Sequence, residues 1–194
     1  MQVSSETQCE TVVGIISTED GRKRFAPHPV SSPISDVRNS ALSIEIDLSK
    51  RSQELLGMGA SLDHATCFNL GRLSAKERER VVDTIVNPKS GIGMNLMRLC
   101  IGTSDFTGEP YYTYNDIPDG TTDFELKQFS IAKDRVNVLP IIKLAQKKNK
   151  DLLFFASPWS PPAWMKTSGN LGTGTLRREC FDVYARYLCN FLDA

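Results

Sequence analysis

From Leu55 onward the chain alternates short apolar, β-prone runs with amphipathic helical stretches three times over. This alternation constrains the fold more than any other feature, because strands separated by helices read as parallel βα units. The first run is Leu55 to Ser61, punctuated by Gly57 and Gly59. A helix is predicted from Ser74, where Ser74 and Glu77 fit the S-x-x-E capping box. Val81, Val82, Ile85 and Val86 supply its buried stripe, and Asn87-Pro88 stops it. The second run is Met94 to Ile101, followed by a long tyrosine-bearing loop and a helix over Leu139 to Lys148. Pro140 suits the first turn of that helix, and Lys147 and Lys148 suit its negative C-terminal end. The third run, Leu152 to Ala156, is apolar throughout apart from its flanks, which predicts a strand buried on both faces. A last helix runs from Glu179 to the end, with Phe181, Tyr184, Ala185, Leu188, Cys189 and Leu192 as its expected apolar stripe. It ends without a Gly cap or a Pro stop.

Three such units are compatible with a doubly wound sheet or with a barrel. Length bears on the second option: the stretch from Leu55 to Ala194 is about 140 residues, below the ~200 that a complete eight-stranded barrel needs. A barrel reading therefore carries the expectation of a partial barrel, interrupted after its third βα unit. Residues 1–54 have a different pattern. Val12, Val13, Ile15 and Ile16 form a β-prone run before an Asp20-Gly21 turn signal, and residues 27–33 read as a proline-rich loop. Leu42, Ile44, Ile46 and Leu48 alternate with polar residues as a strand with one wet face would. The predicted division is a β arm over 1–54 and an α/β unit over 55–194.

Charge and composition remove several function classes. Lys+Arg and Asp+Glu both number 23, so the basic excess of a nucleic-acid binder is missing. No apolar run approaches the ~20 residues of a membrane span. No leader-like apolar stretch occupies the first 30 residues, which by default places the chain in the cytoplasm. Five widely spaced cysteines, Cys9, Cys67, Cys100, Cys180 and Cys189, make neither a disulfide framework nor a zinc ribbon, and most are expected to be free and buried. His28 and His64 are the only histidines, too few for a histidine metal centre. His64 is the better placed of the two for a catalytic triad, but no G-x-S-x-G elbow accompanies it. No cofactor is expected. Gly57-Met58-Gly59-Ala60-Ser61-Leu62 fails the last position of G-x-G-x-x-G, so a nucleotide-binding α/β domain lacks its motif.

In parallel α/β folds function gathers at the C-terminal ends of the strands. The candidates there are Asp63, Arg98, and the loop Ser157-Pro158-Trp159-Ser160-Pro161-Pro162-Ala163-Trp164. Trp159 and Trp164, on a loop stiffened by three prolines, suit a ring-shaped ligand by packing and indole N–H donation, or else anchor the loop to the core. Asp63 can accept hydrogen bonds from a polyol or cap the turn from Ala65 to Leu70. Arg98, inside an apolar strand, is expected to face a carboxylate. Asp105 and the tyrosine-rich loop read as loop architecture.

Taken in order, these post-strand residues resemble glycoside hydrolase family 30, the glucosylceramidase-like enzymes. Gly57-Met58-Gly59-Ala60-Ser61-Leu62-Asp63 is similar to the family's first-strand Gly-Phe-Gly-Gly-x-x-Asp, with Met58 and Ala60 as departures. Asn95 to Ile101 resembles its second strand with the internal Arg. Ser104-Asp105-Phe106, Tyr112-Thr113-Tyr114, and Asp123-Phe124-Glu125-Leu126 with Phe129-Ser130 resemble the stretches that follow. Ala156-Ser157-Pro158-Trp159-Ser160-Pro161-Pro162-Ala163-Trp164-Met165-Lys166 resembles its third-strand signature and is the most specific piece. The resemblance runs from about Leu48 to Ala194. It implies a (β/α)₈ TIM barrel, here its first three βα units, preceded by a short β arm of a side β-sandwich domain. It further implies a retaining β-glycosidase acting on β-glucosides such as glucosylceramide, in sphingolipid metabolism, through two carboxylates about 5–5.5 Å apart and no cofactor. In the family the acid/base Glu follows an Asn at the end of strand four, and the nucleophile Glu ends strand seven. Neither matches a residue of this chain, which is therefore expected to be inactive alone. Asp63 and Trp159 match sugar-contacting positions, Arg98 matches the Arg beside the nucleophile, and Trp164 joins them as a further substrate-facing candidate. The rival functions are a non-catalytic sugar- or partner-binding module and a nucleotide-binding domain. Exposed sheet edges are expected to drive association.

Overall fold

The computed structural model describes residues 14–28, 47 and 49–194, in two compact units, Met1–Ser52 and Gln53–Ala194. In the first unit, β1 (Gly14–Ile16) pairs antiparallel with β2 (Ala26–His28), Ile15 opposite Pro27. The Asp20-Gly21 turn joins them: Asp20 accepts from the Thr18 hydroxyl and the Arg22 amide, and Gly21 takes a φ of 69°. Pro27 thus lies in a strand of a two-stranded ribbon, where a missing N–H is tolerated, and not in a loop. Cys9, the run at Val12 and Val13, the loop after His28 and the alternating strand around Ile44 lie outside the described residues.

In the second unit, α1 (His64–Gly71) and α2 (Ala75–Val86) precede β3 (Leu96–Ile101). Then come α3 (Ala132–Val136), α4 (Val138–Lys148), β4 (Leu153–Pro158) and α5 (Phe181–Asp193). Local chemistry sets most boundaries. Ser74 accepts from the Glu77 amide and donates its hydroxyl to the Glu77 carboxylate, starting α2, and Asn87 ends it. α3, absent from the sequence expectations, is a five-residue helix separated from α4 by Asn137.

β3 and β4 are parallel, with Arg98 opposite Phe155. The Leu55–Ser61 run follows β3 without becoming a regular strand. Met58 O accepts from both the Asn95 and Leu96 amides, Ala60 O accepts from Arg98, and only Ser61 makes a bridge to Arg98. Gly59 explains the closeness: a Cβ there would stand 1.5 Å from Leu96 O.

The helices cover one face of this sheet. Met97 and Phe154 belong to a core built with Val82, Val86, Ile141 and Ala145, while Ile101 and Ala156 join Tyr114, Met165, Val183 and Tyr187. The opposite face carries Arg98, Phe155 and Leu153. Leu153 is 42% and Phe155 50% exposed, so the expectation of a β4 buried on both faces fails. Among the described residues β4 pairs only with β3, and its second face is left about half open.

α5 departs from expectation by a rotation. Its inward stripe is Val183 and Tyr187, buried, with Tyr184, Leu188 and Phe191 partly buried, whereas Phe181 and Leu192 are exposed. The helix is apolar on several sides, and the choice is fixed by tertiary partners: Tyr187 Oη accepts from the Tyr114 amide at 3.1 Å and its ring stacks on Tyr114. Of the cysteines, Cys67, Cys100 and Cys180 are free and buried and Cys189 is free and exposed.

Candidate functional site

The C-terminal ends of the Leu55–Ser61 segment, β3 and β4 lie side by side because the strands are parallel and in register. Arg98 is the inner residue of this rim. Its Nε donates to Ser157 Oγ at 2.9 Å across the β3–β4 pair. Among the described residues no carboxylate lies within ion-pair distance of its guanidinium, so the expected acidic partner is missing and a hydroxyl stands in. The remaining guanidinium N–H groups make no protein hydrogen bond among the described residues. Ser61, bridged to Arg98, keeps a buried Oγ that also has no partner among the described residues.

Asp63 follows two residues after Ser61, at the start of α1. Its Oδ1 accepts from the Thr66 amide at 2.9 Å, capping α1, which starts at His64. Its other oxygen has no protein donor among the described residues. The loop after β3 carries a second carboxylate, Asp105, exposed and with neither oxygen bonded by a described residue. Next to it, Ser104 is buried and fixes the turn, its Oγ accepting from the Phe106 amide and donating to Phe106 O. By its sequence setting Asp105 reads as loop architecture; it follows the strand that bears Arg98.

The two tryptophans part company. Trp159 is half-buried and stacks on Tyr111, ring centroids 5.2 Å apart and planes 18° from parallel. Trp164 is buried and donates its indole N–H to Asn115 Oδ1 at 2.8 Å, and Phe124 packs edge-on against it. That N–H is spent on the fold and is not available to a sugar hydroxyl; the residue instead anchors the loop and closes one wall of a cavity of about 620 Å³ shared with Asp116, Pro118 and Arg177.

The loop carrying Trp159 is clasped from behind by Lys166. Its buried ammonium donates to Ser160 Oγ at 3.0 Å and Leu171 O at 2.7 Å, and burial lowers its pKa from the ordinary lysine value. The loop carrying Tyr111 is pinned through Tyr112, which exchanges hydrogen bonds with Thr103 and donates its phenol to Asp134. Tyr114 donates to the other Asp134 oxygen at 2.5 Å. Burial raises the Asp134 carboxyl above its ordinary value in spite of these two donors. His64 is buried here as well, its Nδ1 at 3.1 Å from Thr107 Oγ1 and its Nε2 at 3.2 Å from the Asn137 amide group, a structural use of the histidine.

Comparison with known proteins follows the same stretch of chain. Residues 55–194 match the glycosyl hydrolase family 30 TIM-barrel domain. The chain is 31% identical to the lysosomal acid glucosylceramidase of Mus musculus over 162 residues, covering 80% of this chain and 30% of that protein. It is 35% identical to the endo-1,6-beta-D-glucanase BGN16.3 of Trichoderma harzianum over 145 residues, 74% of this chain and 29% of that one. Among solved structures, the endo-beta1,6-glucanase BT3312 superposes with a TM-score of 0.71 at 25% identity, over 93% of this chain and 38% of its own. SrfJ from Salmonella typhimurium gives 0.62 at 30% identity, over 72% and 31%. The chain thus spans about a third of the length of these relatives, and what it contains is part of a barrel. By the match over residues 55–194, the chain belongs to glycosyl hydrolase family 30.

Proposed function

We propose that this chain supplies one side of the glucose-binding site of a β-glucoside hydrolase. The observation that carries the reading is Arg98: a half-buried guanidinium, anchored by a hydroxyl and lacking a carboxylate among the described residues, at the rim where Asp105 and Trp159 stand. Hydrolysis with retention needs a carboxylate nucleophile and a carboxyl acid/base about 5–5.5 Å apart. A guanidinium beside the nucleophile favours its ionised form. The open donors of Arg98 offer that environment. Asp105, through both oxygens, and Asp63, through the one not capping α1, accept from sugar hydroxyls, and Trp159 supplies an aromatic wall and an indole N–H. Trp164 acts behind this set, holding the loop.

Both the nucleophile and the acid/base are assigned to barrel strands beyond the third, so the 194-residue chain is expected to turn over aryl β-glucosides no faster than a blank. Turnover well above blank would overturn this assignment. Binding is the positive test: methyl β-glucoside should perturb Trp159 fluorescence, and Trp159→Ala should abolish the response. A silent wild type removes the sugar-site reading.

The leaving group has two readings. Glucosylceramide is supported by likeness to the mouse glucosylceramidase. A β-1,6-linked glucan is supported by likeness to the Trichoderma and BT3312 glucanases, and the stacked Tyr111–Trp159 pair favours it, since a second flat ring suits a second sugar.

A further inference from the structure

Three stretches of chain converge on His64, which is 1% exposed. It opens α1, its ring contacts Phe68 and Tyr112, and both ring nitrogens meet groups outside α1. Nδ1 lies 3.1 Å from Thr107 Oγ1 and accepts from the Gly108 amide at 3.4 Å. Nε2 lies 3.2 Å from the side-chain amide of Asn137, between α3 and α4, and 3.7 Å from Glu109 Oε2. The loop after β3 is seated closely here: a Cβ on Gly108 would stand 2.3 Å from the Phe68 ring. A backbone N–H can only donate, whereas an asparagine amide can turn over and present its oxygen. Nδ1 therefore holds a lone pair, and the ring proton sits on Nε2.

The same geometry decides what a second proton does. It enters at Nδ1, opposite the Gly108 N–H, and two donors cannot share a hydrogen bond. The new charge lies in a side chain shut off from water and needs a counter-charge. Two carboxylates face it. Asp134 has both oxygens taken by Tyr112 and Tyr114, whereas Glu109, its side chain 42% exposed, can close the 3.7 Å gap. Lys133 and Arg72 lie over the Tyr112 and Phe68 rings, 4.6 and 5.9 Å from their centroids, and add no counter-charge. Cys67, on the same helix, turns its thiol to Leu62 O. Glu109 exchanges backbone hydrogen bonds with Thr107 Oγ1, so its approach moves Thr107 and Gly108 as well. Asp105 lies two residues before Thr107, and Tyr111 two after Glu109.

We infer that His64 is a positioning residue for the rim loop: in its neutral form it seats residues 105–111 on α1, and on protonation it gives up Gly108 and takes Glu109. Asp105 is held in place for a sugar hydroxyl only while the ring is neutral. The inference rests on the β-glucoside reading for this effect on affinity, and on the ring geometry alone for the rest.

NMR on the 194-residue chain tests it. At about pH 8, proton–nitrogen correlations of the His64 ring, identified by their loss in His64→Gln, should place the proton on Nε2; a proton on Nδ1 overturns the inference. Between about pH 8 and about pH 5, the span in which an imidazole charges, the Thr107, Gly108 and Glu109 amide signals should move together with the ring. That movement should vanish in His64→Gln, shrink by about half or more in Glu109→Gln, and persist in Asp134→Asn. Amides that stay still in wild type, or move equally in His64→Gln, overturn the inference. Methyl β-glucoside gives the functional readout. Wild type should bind it about three-fold more weakly at the lower pH, the size of one hydrogen bond, and His64→Gln equally at both. Binding to wild type that ignores pH overturns the positioning role. No binding at either pH removes the sugar-site reading, and the ring and amide signals still decide the part played by His64.

Discussion

Arg98 in β3 reaches across the sheet to Ser157 in β4, Nε to Oγ at 2.9 Å, on the face that the helices do not cover. A charge in that position is held by one hydrogen bond, to a neutral hydroxyl, and lacks a described counter-ion. Its stabilising and functional values should therefore oppose each other. Ser157→Ala removes the acceptor and is expected to lower stability by about 1.5–3 kcal/mol, the range for a hydrogen bond to a charged group. Arg98→Leu removes the charge itself and sets an apolar side chain beside Phe155, so it should equal or exceed wild type in stability, as replacement of buried charges often does. Urea unfolding of the three proteins decides it. An Arg98→Leu variant weaker than Ser157→Ala would mean that the guanidinium has a stabilising partner after all.

The glycines separate steric from conformational need. A Cβ at Gly59 would lie 1.5 Å from a backbone oxygen that no rotamer change can move. Gly59→Ala is expected to cost about 3 kcal/mol or more, the upper end for overpacking, and to part the Leu55–Ser61 segment from β3. Gly71, the last residue of α1, has nothing within 4 Å and no left-handed backbone. Gly71→Ala should stabilise by about 0.5–1 kcal/mol through helix propensity and chain entropy. Thermal melts of both variants should move in opposite directions; equal shifts would contradict the close approach at Gly59.

The features legible in the sequence were those settled within one turn of chain. The Ser74–Glu77 box, the Asn87-Pro88 stop and the capping option at Asp63 need no distant partner, and all are present. The parallel sheet followed from alternation alone. What could not be read depends on residues far apart in the chain. Tyr111 meets Trp159 and Trp164 meets Asn115 across nearly fifty residues, so neither the stacked platform nor the loss of the Trp164 indole N–H had a local signal. The stripe of α5 was misjudged because apolar residues surround the helix; Tyr114 and Phe129 choose the face. β4 was read as doubly buried because its sequence is apolar, but composition states what a face prefers and not whether anything covers it.

Asp134 gives a pH signature. Burial holds its carboxyl above the ordinary value, against the pull of the Tyr112 and Tyr114 phenols. A raised folded-state pKa means the folded protein binds the proton more tightly than the unfolded chain. The associated stability is complete below the unfolded value of about 3.9 and is lost as pH rises through the raised folded value. Asp134→Asn does not titrate and keeps a similar shape. The stability of wild type relative to Asp134→Asn should therefore fall between pH 4 and pH 7. Urea midpoints for both proteins at the two pH values test this; a constant or rising difference would show that the tyrosine donors outweigh burial.

The open face of β4 bears on association. Leu153 and Phe155 alternate on it, about half exposed, and the outer edge of the strand has no paired strand among the described residues. Apolar side chains beside free backbone donors and acceptors form a template for another strand. The 194-residue chain is expected to self-associate as concentration rises. Phe155→Lys should weaken this by about ten-fold in dissociation constant, near 1.4 kcal/mol. The same substitution should cost the monomer less than about 1 kcal/mol, because the side chain is already half in water and the added repulsion with Arg98, its cross-strand neighbour, is screened by solvent on this open face. Sedimentation velocity over a concentration series measures the first quantity and urea unfolding at low concentration the second. A wild type that stays monomeric throughout would overturn the association itself; a Phe155→Lys variant that associates as strongly would move the sticky surface elsewhere, to the exposed Phe181 and Leu192 of α5.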